Sequence, residues 1–381
     1  MQISNDIKYI GVNDNKIDLF EAQFPTPNGM SYNSYIILDE KIAVLDSVEE
    51  DFGDLWISNI KGELNGKIPD YLIVHHMEPD HSSNIFRFIK EFPTAKIVSS
   101  KKAFNMMNNF FKTDFSENQI IVGEGDTLNL GRHTLTFFTA PMVHWPEVLV
   151  SYETHSKTLF SADAFGKFGA NKTQSEEWLP EARRYYFGIV AKYGAQVQNL
   201  LLKIKPLNIQ NICPLHGPIL SDNIKYYLNY YNIWSKYLPE QEAVLIAYTS
   251  VYGHTKKAVD ILAEKLKSKG VNVITLNLTR CDMSNAVATA FWASKLVLAT
   301  TTYNGKIFPQ MNEFITHLTE RNFQNRTLAI IENGSWAPNV LKTIKLALNN
   351  LNFANNNVTI ISSISAENLA QIEELSNELC I

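Results

Sequence analysis

Short apolar runs broken by turn residues fill the first part of the chain, and a regular strand–helix alternation fills the second. Residues 7–12, 17–24, 34–38 and 42–46 read as strands, with turn signals at Asn13-Asp14-Asn15 and from Pro25 to Gly29. Helical spacing covers 51–64. The run 71–74 predicts a buried strand, and 82–92 a helix with Ile85, Phe86, Phe88 and Ile89 on one face. A strand at 96–99 leads to a helix at 101–111 whose face carries Phe104, Met107 and Phe111. Strands at 119–122, 133–138, 148–152 and 158–160 follow, and from Ser175 to Ile204 the pattern turns helical. Helices around two groups of strands predict an α/β fold, an αββα sandwich of two sheets back to back.

The composition shifts between Trp234 and Glu242, where Pro239-Glu240-Gln241 reads as a linker. Two domains are expected, over 1–238 and 243–381. In the second, strands at 244–248, 271–278, 295–299, 327–331 and 358–362 alternate with helices at 254–268, 283–293, 309–322, 337–350 and 366–379. Five strands in that rhythm predict a doubly wound parallel sheet.

Size and charge narrow the function. At 381 residues two domains are expected, and 45% apolar residues suit a globular core. A net charge of −5 gives no basic footprint for nucleic acid or an anionic membrane. Cys213, Cys281 and Cys380 are scattered and odd in number, which argues against a disulfide framework or a cysteine metal site. The start of the chain lacks signal-peptide character, and no apolar run reaches membrane-spanning length. A reduced, cytoplasmic setting is expected.

The chemistry concentrates in His75-His76-Met77-Glu78-Pro79-Asp80-His81, the turn between a predicted strand and helix. Loops at strand carboxyl ends are where open α/β sheets place their sites. His76, Glu78 and Asp80 can converge on one cation, and Asp80 with His81 can serve a second. Three later residues stand at strand ends as well: His144, Asp163 and His216. Each alone reads as a packed histidine or a helix cap; together with 76–81 they read as one metal constellation.

His-x-Glu-x-Asp-His followed by His144, Asp163 and His216 resembles the metallo-β-lactamase fold in its flavodiiron branch. Hydrolases of that fold carry histidine where this chain has Glu78. The resemblance implies a non-haem diiron site. One iron would take His76, Glu78 and His144; the other would take Asp80, His216 and His81; Asp163 would lie between them. Three carboxylates with a bridging hydroxide balance two ferrous ions, and oxygen ligands with imidazoles suit iron. His75 and Ser82-Ser83 depart from the commonest family pattern, and His75 is expected to pack beside the ligands or support them. Gly29 to Tyr35 resembles an early strand of the family, and Glu21 is a candidate acid near the irons.

In the second domain, Thr249-Ser250-Val251-Tyr252-Gly253-His254-Thr255 runs from the first strand into a helix. Hydroxyls, a glycine and a helix N-terminus suit a phosphate. The absence of a Walker lysine and of G-x-G-x-x-G speaks against nucleoside triphosphates and dinucleotides. The loop resembles the flavodoxin phosphate loop. Two further loops, Thr300-Thr301-Thr302-Tyr303-Asn304-Gly305 and Asn333-Gly334-Ser335-Trp336-Ala337, would flank the flavin of FMN, with Tyr303 and Trp336 as stacking rings. A member of the flavodiiron family in this form, without a carboxyl-terminal rubredoxin or flavin reductase module, would reduce dioxygen to water or nitric oxide to nitrous oxide. A rubredoxin-like donor would reload FMN, and a head-to-tail homodimer, or a dimer of dimers, would bring flavin and irons together. The competing expectation is a zinc hydrolase with a redox-sensing flavodoxin domain.

Overall fold

The computed structural model describes residues 3–171 and 177–380. The chain divides into two compact units, Met1–Asn232 and Ile233–Ile381.

The first unit holds a six-stranded and a five-stranded sheet. The six-stranded sheet runs Ile7–Tyr9, Tyr35–Ile37, Ala43–Leu45, Tyr71–Ile73, Lys96–Ser99, Gln119–Ile121. Its first pairings are antiparallel, and from Ala43–Leu45 onward they are parallel. The other sheet runs Thr127–Asn129, Thr134–Thr139, Leu149–Glu153, Thr158–Phe160, Asn211–Cys213, with only the last pairing parallel. One core joins them: Ile7, Tyr35, Leu45 and Ile73 from the first sheet pack with Leu135, Phe137, Leu149 and Phe160 from the second. Burial of that shared apolar face is the main force holding the sheets together.

Several elements differ from expectation. The strand expected over 17–24 is a hairpin, Leu19–Phe20 against Phe24–Pro25. Glu21 and Ala22 turn the corner with φ of 48° and 55°. The strand expected at 7–12 breaks into Ile7–Tyr9 and Val12–Asp14. A Cβ on Gly11 would stand 2.4 Å from the Tyr32 carbonyl, so the backbones cross there. The helix expected at 82–92 splits into Pro79–Ser82, opened by a proline in its first turn, and Ile85–Glu91. Part of the helical run expected from Ser175 lies outside the described residues, and the helix Leu179–Tyr185 begins beyond them.

The second unit is a parallel sheet in the order Val273–Asn277, Gln241–Tyr248, Ala293–Tyr303, Thr327–Gly334, then Asn352–Phe353 and Val358–Ile361. Five helices follow: His254–Ser268, Met283–Trp292, Pro309–Glu320, Val340–Ala347 and Ala366–Leu379. The expected linker is absorbed here. Gln241 opens a strand, and Trp234 Nε1 donates to Glu240 Oε1 at 2.7 Å. The third strand also runs past its expected end at 299. Thr300 and Thr301 pair with Glu332 and Asn333, and Thr302 pairs with Ile307 across an Asn304-Gly305 turn. A run of β-branched threonines extends a strand more readily than it makes a loop.

Candidate metal centre

The strand Tyr71–Ile73 ends just before His75-His76, and the proline-started helix turn places Asp80 and His81 one turn on. His144 precedes the strand Leu149–Glu153, Asp163 follows Thr158–Phe160, and His216 follows Asn211–Cys213. These seven side chains gather into two groups. His76, Glu78, His144 and Asp163 form one; Asp80, His81 and His216 form the other. Within each group one ligand atom per residue lies within 4.8 Å of all the others.

Asp163 spans both groups. Its Oδ2 is 3.0 Å from His144 Nε2 and 3.6 Å from His76 Nε2, while Oδ1 is 3.3 Å from His81 Nε2 and 4.0 Å from His216 Nε2. Glu78 Oε2 is 3.3 Å from His76 Nε2 and 3.0 Å from His144 Nε2. Asp80 Oδ2 is 3.3 Å from His81 Nε2 and 3.2 Å from His216 Nε2. The two last imidazole nitrogens face each other at 3.0 Å.

The far side of two imidazoles is held as well. His76 Nδ1 stands 2.8 Å from Glu147 Oε1, which also accepts the Met77 N–H, and His216 Nδ1 stands 2.7 Å from the Ser31 carbonyl. Each Nδ1–H is thereby occupied, so each Nε2 faces the centre, the arrangement a metal-ligating histidine requires. Gly217 adopts φ of 80° and its N–H donates to Ser31 Oγ, so the chain doubles back directly after His216.

Three carboxylates in one place, Asp163 buried and Glu78 and Asp80 half-buried, demand positive charge. Burial works against ionisation of Asp163, but His76, His81 and His144 outweigh it and hold the carboxyl well below its usual range. Burial likewise opposes the charged form of His144, yet Asp163 and Glu78 push it up to about 9. In the metal-free chain, protons on the imidazoles are the available source of that charge. Both Asp80 oxygens, Asp163 Oδ1 and His81 Nδ1 are buried with no hydrogen-bond partner. Two cations between the groups would satisfy the carboxylate oxygens and displace the protons, so the residues fit a dinuclear metal.

Several neighbours carry no clear signal in the sequence. Phe20, Tyr32 and Tyr185 place their rings 5.3, 5.9 and 5.6 Å from that of His216. The Tyr185 hydroxyl is buried without a partner, and its pKa is raised well above the ordinary value by burial and then by Asp163, Glu78 and Asp80. A π-helical turn, Tyr186–Val190, follows directly. Glu147, three residues after His144, is the one neighbour that a carboxylate amid apolar residues could have flagged. Glu21 sits on the hairpin turn, its carboxyl turned toward the site, with its pKa raised to about 7 by lost hydration and then by Glu78. The His75 ring hydrogen-bonds to Asp46 and Ser151, not to a member of the two groups.

In the second unit, Thr249–Thr255 joins a strand to the helix His254–Ser268, with Gly253 at φ 88° as the residue before it. Ser250 Oγ accepts the N–H groups of Gly253 and Lys256, each at 3.2 Å, which folds the loop over the helix start. Thr249 Oγ1 and Thr300 Oγ1 are 2.6 Å apart, while the buried hydroxyls of Thr255 and Thr301 have no partner. Tyr252 and Trp336 are each 91% exposed and Tyr303 47%. Asn333 and Gly334 end a strand, and Asn339 Nδ2 donates to the Gly305 carbonyl at 2.7 Å, joining the two later loops. Val251, Ser335 and Ala337 complete these loops. Unpaired hydroxyls, a helix N-terminus and large exposed rings at one sheet end fit a phosphate-bearing aromatic group.

Residues 30–217 match the family described as ODP family beta lactamase, and 245–352 match a flavodoxin domain family. An uncharacterised protein of Methanocaldococcus jannaschii is 31% identical over 326 residues, 84% of this chain and 81% of that one. The anaerobic nitric oxide reductase flavorubredoxin of Salmonella arizonae is 25% identical over 363 residues, 92% of this chain and 75% of its own. Among solved structures, rubredoxin oxygen:oxidoreductase of Desulfovibrio gigas superposes with a TM-score of 0.93 at 24% identity, covering 100% of this chain and 97% of that one. The flavodiiron protein of Giardia intestinalis gives 0.90 at 23% identity, covering 98% and 95%. The fold, the order of the two matched domains and the paired acid–imidazole groups agree: the chain belongs to the flavodiiron protein family, a family of oxidoreductases.

Proposed function

We propose that the protein reduces dioxygen to water, nitric oxide to nitrous oxide, or both, at a diiron site in its first unit, with FMN in the second. The division of Asp163 between the two groups carries this reading. One carboxylate reaching both is what a metal pair needs and what one cation does not. His76, Glu78 and His144 would hold one iron, Asp80, His81 and His216 the other, with Asp163 bridging. Loops 249–255, 300–305 and 333–337 would hold FMN. Two ferrous ions and a reduced flavin, when bound, would supply the four electrons that dioxygen takes on its way to two waters. Glu78 adds the negative charge that favours iron over the zinc of related hydrolases. Glu147 and the Ser31 carbonyl hold His76 and His216 in the ligating tautomer. Phe20, Tyr32 and Tyr185 wall His216 and exclude water on that side. The Tyr185 hydroxyl is an O–H donor without a partner beside the site, and the Glu21 carboxyl is placed to hold a proton at its edge.

A rubredoxin-like protein is the proposed donor, and a head-to-tail homodimer or dimer of dimers the proposed assembly. A cytoplasmic setting belongs to the same reading and agrees with three unpaired cysteines. No helix among the described residues is long and apolar enough to cross a membrane. The test is metal and flavin analysis of the purified protein, then anaerobic reduction and separate challenge with each gas. Two irons and one FMN per chain, with gas consumption lost in Glu78→Gln while FMN stays bound, are expected. Zinc with hydrolase activity would overturn the reading.

A further inference from the structure

Each group of metal-capable residues draws on both sheets of the first unit. His76, Glu78, Asp80 and His81 follow a strand of the six-stranded sheet; His144, Asp163 and His216 flank strands of the five-stranded one. The distance between the sheets at that end therefore sets the distance between the ligands of each cation. Buried hydrogen bonds of His75 tie the sheets together there, as does the Tyr35 hydroxyl, which donates to the Pro214 carbonyl at 2.8 Å. His75 Nδ1 lies 2.6 Å from Asp46 Oδ2, and the His75 N–H donates to Asp46 Oδ1 at 2.7 Å. Asp46 follows the strand Ala43–Leu45 of the first sheet. On the other side, His75 Nε2 lies 2.8 Å from Ser151 Oγ, in the strand Leu149–Glu153 of the second. The His75 carbonyl accepts the Leu149 N–H at 3.0 Å. Its ring stacks at 6.4 Å and 17° on Phe160, the cross-strand partner of Ser151 and three residues before Asp163. Asp46, His75 and Ser151 are each 1% exposed or less. Apolar contacts hold two sheets together but tolerate sliding; hydrogen bonds of this length fix a spacing within tenths of an ångström.

We infer that His75 is a positioning residue: through Asp46 and Ser151 it fixes the separation of the two sheets at which both cations are held. The inference rests on the dinuclear metal reading above. Its test is anaerobic titration of the metal-free, full-length protein with Co(II), followed by the visible bands of the bound ion. Two Co(II) per parent chain are expected, and binding of fewer would overturn the metal reading itself. His75→Leu and Ser151→Ala should then weaken Co(II) binding about tenfold or more, the usual effect of losing support behind a ligand. His75→Gln, which can still donate to Asp46, should recover part of that. Leu135→Ala cuts the same inter-sheet core at a buried position without a hydrogen bond to either sheet's ligands. At an equal or larger loss of thermal midpoint it should bind Co(II) as the parent does. If His75→Leu does not fold, Ser151→Ala decides. Parent-like affinity in Ser151→Ala, or an equal loss in Leu135→Ala, would reduce His75 to an ordinary core residue.

Discussion

At the scale of single residues, the site is governed by charge that has nowhere else to go. Asp80, Asp163 and Glu78 are brought together largely out of water, and the buried oxygens of Asp80 and Asp163 left without a donor cost free energy until a cation arrives. Tyr185 is a second such cost. Its hydroxyl has no partner, so Tyr185→Phe should leave the metal-free protein at least as stable, by up to about 1 kcal/mol in denaturant titration. In the loaded enzyme the same change should slow gas consumption. A metal-free protein clearly destabilised by Tyr185→Phe would mean that the hydroxyl bonds within the fold. Glu78, on which the proposed preference for iron over zinc turns, was legible at once, because its neighbours share a strand-end loop. Tyr185 was not, since nothing local distinguishes it from a packed residue, and Glu147 offered only a carboxylate amid apolar neighbours.

At the scale of elements, the second unit turns on Arg326. It is 1% exposed, with no carboxylate among its hydrogen-bond partners. Its guanidinium donates to the carbonyls of Ala293 and Tyr237, each at 2.6 Å, and to those of Gln324, Asn325 and Phe291. Burial pushes its pKa down to about 10, so it stays charged at neutral pH. Arg326→Met should destabilise this unit by about 3 kcal/mol, as several buried carbonyls lose their donors; calorimetry would register it, and an unchanged transition would refute it. The helices His254–Ser268 and Ala366–Leu379 are joined differently, by Lys265 and Lys269 on Glu373. Lys265 first and Lys269 second pull the Glu373 pKa down from 4.5 to about 2. A depressed folded-state pKa stabilises above the unfolded value and loses that contribution as pH falls toward the folded one. Thermal midpoints of Glu373→Gln and the parent should differ above pH 4.5 and converge toward pH 2. The effect is small, because the pair is exposed. A difference independent of pH would point to packing instead.

At the scale of the molecule, the proposed reaction needs electrons to pass from flavin to iron, and each candidate site lies at the strand ends of its own unit. The proposed head-to-tail dimer meets that need between chains. Light scattering should find a dimer or tetramer. Specific activity should fall when the enzyme is diluted below the concentration at which the dimer persists. A fully active monomer would require flavin and iron to meet within one chain.

The sequence by itself determined the α/β class, the alternation of the second half and the identity of the acid and imidazole residues. Periodicity and strand-end placement are local properties, and 254–268 and 366–379 match the observed helices for that reason. Only the tertiary structure decided that Asp163 reaches both groups, that His75 joins two sheets and that residues 19–25 fold back as a hairpin. These depend on contacts between residues far apart in the chain, whose geometry follows from how two sheets pack and not from any run of neighbouring side chains.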